Sequence, residues 1–321
     1  MFAVYAAEPN PEDPLASLRV GDRPDPAAPA GTVAVSVIAA SLNMHDLWTL
    51  RGVGITPEQF PMILGCDGAG VLPDGSEVVI YPVITSSGWV GDETLDPHRT
   101  LLTERLQGSF ADTVVVPAHN VVPKPPSLTF PESACMGTAW LTAYRMLFVK
   151  SGTRPGQTML VQGASGGVST ALVQLGVAAG LRVWVTGRTE QKRQLASELG
   201  AHQVFESGAR LPERVDAVFE TVGKATWSHS AKCLKPGGII VCSGATSGDA
   251  ERAELRRLFF LQLRMVGSTM GTRQELRELL SFLDITGLRP HIGSELPMSD
   301  PEQGFKAMLD GDTAGKIVFT R

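Results

Sequence analysis

The chain has 321 residues, of which 43% are hydrophobic and 19% are charged, so its composition is that of a folded globular protein and not of a disordered or fibrous one. Its 28 basic and 33 acidic side chains leave a formal net charge of -5, which offers no general attraction to nucleic acid or to an anionic membrane surface. The length favours two domains.

The cysteine pattern indicates neither a disulfide framework nor a structural zinc site. The four cysteines are far apart in the sequence and form no Cys-x-x-Cys pair. The amino-terminal segment lacks a basic leader followed by an apolar run, and no segment has the roughly 18 uninterrupted apolar residues of a membrane helix. We therefore expect a cytoplasmic protein without a membrane span.

The first 122 residues are predicted to be rich in β-strands. Short apolar runs at 32–39, 77–83 and 110–116 are separated by Gly, Pro and Asp, a pattern typical of strands and turns. Residues 85–107 mix turn residues and charges without periodicity, which predicts a long surface excursion. The prolines of 123–134 then precede a helical run, as expected at a domain boundary.

From residue 157 the pattern changes to apolar strands that alternate with helical segments. We expect these strands, in chain order, at 159–162, 182–186, 215–220, 238–244 and 264–269. Strands separated by helices need crossover connections, so the sheet should be parallel and covered on both faces, as in a doubly wound α/β unit. The tail that follows is predicted to contain a helix, an extended piece, a short helix and a final strand at KIVFT, and it could return to the N-terminal β unit.

A glycine-rich turn between the first of these strands and its helix is the strongest single motif. The segment TMLVQGASGGVSTALVQLGVAAG carries Gly163, Gly166 and Gly167, where the backbone can approach a ligand without a Cβ, and helix-start N–H groups favour a pyrophosphate. Ser169 replaces the last glycine of a GxGxxG fingerprint and is small enough to preserve close packing. A tight turn kept for packing is the alternative, but strand, glycines, helix and second strand together favour a nucleotide site.

The end of the second strand predicts which dinucleotide is bound. Where an NAD site usually places an acidic residue, the sequence reads TGRT at 186–189, followed by Lys192 and Arg193. The Arg188 guanidinium can hold the 2′-phosphate of NADP through paired hydrogen bonds, with a hydroxyl or lysine assisting. In the alternative interpretation these cations only solvate the turn, but they would then lie unfavourably against the helix dipole. The sequence therefore favours NADP over NAD.

The order of these parts resembles the medium-chain dehydrogenase/reductase superfamily, especially its zinc-free quinone oxidoreductase and enoyl reductase branch. The matching segments span nearly the whole chain: SLNMHDLWTLRG, LGCDGAGVL, GSFADTVVVP, AWLTAYRML, the glycine turn, DAVFETVG, RLFFLQLRMVGSTMG and GKIVFT.

The resemblance implies an α/β protein with a GroES-like β-rich catalytic domain at residues 1–122. A doubly wound Rossmann NADP-binding domain at 123–265 and a C-terminal return to the catalytic domain at 266–321 would follow. The resemblance also implies a homodimer formed through the last strand of the Rossmann domain, near 264–269.

The positions that bind zinc in the related zinc-dependent alcohol dehydrogenases carry different residues here. By resemblance the three ligand positions fall on Asn43, on Cys66 and near Thr138, and the structural zinc lobe of those enzymes corresponds to 85–107, which contains no cysteine. Cys66 with neighbouring histidine or aspartate side chains could still bind a metal, but three ligands and an open position would be needed. We therefore expect no metal and a small buried thiol at Cys66.

Without a zinc ion to polarise an alcohol or simple ketone, reduction of quinones or enones is the favoured chemistry. Conjugation lets hydride from NADPH add to carbon while charge develops on a distant oxygen, which hydrogen-bond donors can stabilise. The predicted catalytic residues are Asn43, His45, Asp46 and Arg51, and the predicted substrate walls are Tyr81 and Trp89. His45 could instead be a structural residue, Asp46 a loop anchor and Arg51 a surface ion-pair partner.

The resemblance and the strand ends together predict a set of cofactor contacts. These are Thr138, Thr142, Ser165, Gly166, Gly167, Val168, Gly187, Arg188, Thr189, Lys192, Val222, Ser243, Gly244, Ala245, Ser268 and Thr269. Besides a reductase with a small-molecule quinone or enone substrate, two other functions stay open. One is a catalytically silent NADPH-binding redox sensor or scaffold. The other is a zinc-type alcohol dehydrogenase.

Overall fold

The computed structural model describes residues 1–321, and the chain divides into two compact units. The first unit combines Met1–Leu141 with Met270–Arg321, and the second is Thr142–Thr269. No helix has both the length and the apolar character needed to cross a membrane.

The strands, in chain order, are β1 (Phe2–Ala6), β2 (Leu18–Asp22), β3 (Thr32–Ser41), β4 (Met62–Ile63), β5 (Ala69–Val71), β6 (Glu77–Ile80), β7 (Val83–Ile84), β8 (Thr100–Leu101), β9 (Thr113–Pro117), β10 (Val121–Pro123), β11 (Thr158–Gln162), β12 (Arg182–Gly187), β13 (Gln203–Glu206), β14 (Val215–Glu220), β15 (Leu234–Cys242), β16 (Arg264–Gly267), β17 (Ile292–Pro297) and β18 (Lys316–Thr320).

The helices are α1 (Met44–Leu50), α2 (Phe130–Ala134), α3 (Leu141–Tyr144), α4 (Gly167–Ala178), α5 (Glu190–Glu198), α6 (Trp227–Cys233), α7 (Leu255–Phe260), α8 (Arg273–Thr286) and α9 (Glu302–Asp310). Two π-helical segments, Met136–Trp140 and Arg145–Lys150, lie on either side of α3.

The first unit is organised around a seven-stranded sheet in the order β10-β6-β5-β3-β18-β17, with β9 also paired with β3. Alternate residues of β9 are buried, so Val114 and Val116 face the core. There the Phe110 ring meets Phe305 and Phe319 edge-on, with centroids 6.2 and 5.1 Å away. The last strand, β18, pairs antiparallel with β3, so the predicted C-terminal strand lies in the sheet of the N-terminal unit.

The second unit contains a six-stranded sheet in the order β13-β12-β11-β14-β15-β16, in which every neighbouring pair is parallel. The predicted doubly wound sheet is confirmed, and all five expected strands are present. The structure adds β13, which the sequence analysis did not foresee because its four half-buried or exposed residues carry no clear apolar run.

The division of the chain differs from the boundaries expected at residues 122/123 and 265/266. Residues 123–141 belong to the first unit, because α2 packs on β3, β5 and β6. Lys124 also ties this stretch down, since its ammonium lies 2.9 Å from the Glu77 carboxylate and donates to the Leu128 carbonyl. The prolines of 123–134 therefore lie within the first unit and do not mark the boundary between the two units.

The predicted surface excursion at 85–107 is held by a buried acidic side chain. The Asp96 carboxylate accepts hydrogen bonds from the backbone and hydroxyl of Ser86 and from the backbone of His98. The two-stranded pair β7 and β8 closes its base. The segment is thus ordered by local hydrogen bonds, which a search for periodic apolar residues does not detect.

Candidate functional site

The turn from β3 into α1 is fixed by a reciprocal cap. Asn43 is the N-cap of α1, and the Asp46 carboxylate accepts the Asn43 backbone N–H at 2.9 Å and the Gly65 backbone N–H at 2.8 Å. Burial raises the pKa of Asp46 to about 7, and these two hydrogen bonds oppose that rise. Asp46 therefore anchors its loop, the role that the sequence analysis gave as the alternative to catalysis.

Six polar side chains of the first unit form what we call the polar cluster: Ser41, Asn43, Cys66, Asp67, Thr138 and Lys316. The fully buried Asp67 carboxylate is its centre, since it accepts from the Ser41 hydroxyl at 2.8 Å and the Asn43 amide at 2.9 Å. The Thr138 hydroxyl donates to its other oxygen. A π-helical turn carries Thr138 and places it beside the carboxylate.

Lys316 brings a buried positive charge into the polar cluster. Its Nζ donates to the Asn43 side-chain oxygen at 2.7 Å and to the Leu42 carbonyl at 2.9 Å, and lies 3.7 Å from the Asp67 carboxylate. The side chain is only 2% exposed. A buried ammonium is costly unless it is paired, so these contacts are needed to stabilise Lys316 in the interior. The sequence analysis missed Lys316, because only the pairing of β18 with β3 brings it next to Asn43.

The residues of the polar cluster do not fit a catalytic zinc ion. The three positions that resemblance assigned to metal ligands hold an amide (Asn43), a thiol (Cys66) and a hydroxyl (Thr138). Burial, together with the carboxylates of Asp46 and Asp67, raises the pKa of the Cys66 thiol well above its usual value. Of the three groups only this thiol is of a kind that zinc commonly binds, whereas a catalytic site needs three such ligands. No group of three His, Cys, Asp or Glu side chains in the chain is placed to hold a metal ion.

His45 differs from the other predicted catalytic side chains because one of its ring nitrogens has no partner. Nε2 is buried and makes no hydrogen bond. Burial lowers the pKa of His45, while the Glu104 carboxylate and the Leu102 backbone oppose the shift. The imidazole is therefore neutral near pH 7, and a neutral ring carries one N–H donor.

The remaining predicted residues of the first unit lie outside the polar cluster. The Arg51 guanidinium stacks over the Trp48 ring, 5.1 Å from its centroid, at the end of α1. Tyr81 is buried and its hydroxyl donates to the Gly271 carbonyl, so its ring is packed inside the unit. Trp89 is 36% exposed and its indole N–H donates to the Asp92 carbonyl.

In the second unit, the glycine turn joins β11 to α4. Gly163 has φ +86°, which favours glycine, and Gly166 is the N-cap of α4. A Cβ added to Gly163 would lie 3.5 Å from Val222 Cγ2 and 3.6 Å from Ser169 Oγ. Ser169 therefore fits at the position of the missing fingerprint glycine, and the backbone N–H groups at the start of α4 remain available to an anion.

The end of β12 carries exposed positive charge. Arg188 is exposed and makes no hydrogen bond or ion pair. Thr189 caps α5, its hydroxyl accepting the Lys192 backbone N–H at 3.3 Å. Arg193, by contrast, donates to the Gly187 carbonyl and lies 3.7 Å from the Glu206 carboxylate, so it has a structural role.

A buried glutamate that the sequence analysis missed shapes the neighbouring turn. Glu220 ends β14, and its carboxylate accepts the backbone N–H groups of Val222 and Gly223 at 2.8 and 3.1 Å and the Ser230 hydroxyl at 2.6 Å. Gln162, at the end of β11, donates to the same hydroxyl. The Glu220 hydrogen bonds therefore hold the predicted cofactor contact Val222 in place beside Gly163.

The other predicted contacts follow strand ends or helix starts of the second unit, except Thr138, which belongs to the polar cluster. Ser243, Gly244 and Ala245 follow β15, and Ser268 and Thr269 follow β16. The backbone N–H of Ser268 donates to the Cys242 carbonyl, so the ends of these two strands lie side by side. Ser165 and Thr142 are buried, while Val168 is half-buried in the first turn of α4.

Comparison with known proteins identifies the class. Residues 29–126 match the family model of the alcohol dehydrogenase GroES-like domain, and residues 167–284 match that of the zinc-binding dehydrogenases. A crystal structure of an NAD-dependent alcohol dehydrogenase is 31% identical, with complete coverage of both chains and a TM-score of 0.92.

Two curated relatives are reductases. Quinone oxidoreductase from Mus musculus is 26% identical over 89% of this chain and 88% of that protein. Crotonyl-CoA reductase from Streptomyces avermitilis is 26% identical over 91% of this chain and 79% of that protein. The chain belongs to the medium-chain dehydrogenase/reductase superfamily of oxidoreductases, and the predicted combination of a GroES-like domain with a Rossmann domain is confirmed.

Proposed function

We propose that the protein is an NADPH-dependent reductase of quinones or α,β-unsaturated carbonyl compounds and that it works without a catalytic zinc ion. The polar cluster is the observation that carries this proposal, because it holds an amide, a single thiol, a hydroxyl and a buried ammonium where a catalytic zinc would need three Cys, His or carboxylate ligands. Without a Lewis acid, an alcohol or simple ketone is a poor substrate. A conjugated acceptor spreads the developing charge and needs only hydrogen-bond donors.

The second unit offers the groups that NADPH requires. The N–H groups at the start of α4 suit the pyrophosphate, and the exposed Arg188 beside the Thr189 cap suits the 2′-phosphate. Bound NADPH would supply the hydride. The 31% identical structure carries the name of an NAD-dependent enzyme, so our preference for NADPH rests on Arg188 and on the lack of an acidic residue at 186–189.

His45 is the side chain that we assign to the substrate oxygen. The other candidates are committed elsewhere: the Asn43 amide is bonded to Lys316 and Asp67, Asp46 caps α1, and Arg51 stacks on Trp48. His45 alone keeps a ring nitrogen without a partner. In the tautomer that carries its single N–H on Nε2, the neutral His45 ring donates a hydrogen bond to the oxygen on which charge develops and no longer donates to the Leu102 backbone, while water supplies the proton.

The test measures NADPH oxidation with a panel of quinones, enals and enoyl thioesters. The reverse reaction, reduction of NADP by simple alcohols, is measured in parallel. We expect turnover with conjugated acceptors, no loss of rate on treatment with a chelator, and less than stoichiometric zinc in metal analysis. His45→Phe should lower kcat by at least about a hundredfold, the usual contribution of a hydrogen-bond donor to a developing negative charge, while NADPH affinity stays unchanged.

Each alternative gives a different result in the same assays. Tight NADPH binding with no turnover across the panel would identify a silent binding protein. Stoichiometric zinc, with activity lost to a chelator and faster turnover of alcohols, would identify a zinc-type alcohol dehydrogenase and overturn the proposal.

We also propose that two copies associate through the edge strand β16 and the preceding helix α7. The sheet ends at β16, and Phe259 and Phe260 on α7 are 71% and 79% exposed. An edge strand beside exposed aromatic rings is a surface that association would cover. Light scattering should give a dimer for the native chain and a monomer for Phe259→Glu/Phe260→Glu. An unchanged mass would exclude this interface.

A further inference from the structure

The first unit contains a cavity of about 730 Å³ that the proposed reaction does not use. It lies against β9 on the face that carries Thr113, Val115 and Pro117, and the neighbouring Val114 also contributes to its lining. Its other walls are the proline-rich segment 23–29 and parts of the excursion 85–107. A volume of this size is typical of sites for small organic ligands.

The cavity is separate from the polar cluster. No residue of the polar cluster lines it. Thr32, the first residue of β3, is part of the wall, whereas Asn43 follows the far end of that strand. Ten extended residues span roughly 30 Å, so at β3 the cavity and the polar cluster lie at opposite ends of the strand.

The inner surface of the cavity is mainly apolar. Ile63, Ile84, Leu106 and Val115 contribute aliphatic side chains, and the prolines of 23–29 add ring carbons. Burial of a hydrocarbon chain against such walls is favourable. Polar side chains such as Thr85, His98 and Gln107 form a smaller part of the lining, and the Ser86 and Thr100 hydroxyls already donate to Asp96 and Glu104. The body of a matching ligand is therefore an alkyl chain.

The charged groups of the wall select the head group of that ligand. Asp25 is paired with the amino-terminal ammonium at 3.0 Å, and the Arg23 guanidinium stacks on the Tyr5 ring with 5.0 Å to its centroid. Arg105 is exposed and makes no hydrogen bond or ion pair. An unpaired guanidinium beside an apolar cavity favours a carboxylate, which it can bind through two parallel hydrogen bonds.

We propose that this cavity is a second ligand site and that it binds a medium-chain fatty carboxylate, with the alkyl chain against Val115 and Leu106 and the carboxylate on Arg105. Part of the excursion 85–107 then serves as one wall of this site.

The test is calorimetric titration of decanoate into the full chain saturated with NADPH, so that the cofactor site is already filled. We expect one site per chain. Arg105→Gln should weaken decanoate binding at least about tenfold, since a hydrogen bond to a charged group is lost. Val115→Trp, which fills the cavity, should abolish binding, and 1-decanol should bind more weakly than decanoate to the native chain.

Arg277→Gln is the matched control, because Arg277 is exposed on α8 and does not line the cavity. It should leave decanoate binding unchanged. Thermal unfolding of Val115→Trp shows whether that variant folds, and Arg105→Gln, at an exposed position, remains informative if it does not. No saturable binding, an equal affinity for 1-decanol, or an unchanged affinity in Arg105→Gln would overturn the proposal.

Discussion

The charged side chains of the polar cluster are buried and paired, whereas the arginine at the end of β12 is exposed and has no partner. In the polar cluster Lys316 and Asp67 are buried, and both side-chain polar atoms of Asn43 have partners. At the end of β12, Arg188 is exposed and unpaired. Charges removed from water must be satisfied within the fold, whereas an exposed cation stays hydrated until a ligand replaces the water. The polar cluster therefore stabilises and orients the first unit, while the end of β12 remains free to bind.

Of the substitutions that test this contrast, the one at Lys316 should cause the largest change, a loss of stability. Lys316→Met leaves the buried Asp67 carboxylate and the Asn43 oxygen without their cation, and the free energy of unfolding should fall by about 3 to 5 kcal/mol. Urea denaturation measures the change. Lys306→Met is the control, because Lys306 forms an exposed ion pair with Asp310 and should change stability far less. Equal losses for the two variants would show that the polar cluster is not a stabilising unit.

The buried carboxyl of Asp46, next to the polar cluster, should make the stability of the protein depend on pH. The folded-state pKa of Asp46 is raised to about 7 by burial, while the unfolded carboxyl titrates near its usual value, 3.8. Between these two pKa values Asp46 is protonated in the folded chain and ionised in the unfolded chain. Its contribution to the free energy of unfolding therefore falls as the pH rises from about 4 to about 7.

Asp46→Asn should flatten this part of the profile of unfolding free energy against pH, even if the variant is less stable overall. An identical slope in both proteins would mean that Asp46 ionises normally.

Substitution of Arg188 should change binding and leave stability alone. Arg188→Ala should weaken NADPH binding by about tenfold to a hundredfold, the contribution of a charge-assisted hydrogen bond, and leave NADH binding unchanged. Fluorescence titration with each dinucleotide measures the ratio. Arg210→Ala, an exposed arginine of the same unit, is the control. The cofactor preference proposed here would be wrong if NADH binds the native chain as tightly as NADPH.

The second unit was the more predictable of the two. Its strands are continuous apolar runs, because a parallel sheet is covered on both faces, and its glycine turn is local in sequence. Glu220 was nevertheless missed, since an acidic residue at a strand end has no distinctive pattern until its backbone partners at Val222 and Gly223 are known.

In the first unit, local pattern predicted elements but not the site. The prolines at 123–134 suggested a domain boundary, yet α2 packs onto the first unit. Tyr81 was predicted to line a substrate pocket, yet its hydroxyl bonds to Gly271, 190 positions later in the chain. Both observations depend on tertiary packing between residues that are remote in sequence, which a local pattern does not show.

The sequence by itself determined the parallel sheet, the glycine turn and the positive charge after β12, because each depends on residues within a few positions of one another. Only the tertiary structure decided that Lys316 occupies the polar cluster, 273 positions from Asn43. The pairing of β18 with β3 buries that ammonium beside Asp67, and the cost of an unpaired charge in the interior then fixes the contacts of the whole cluster.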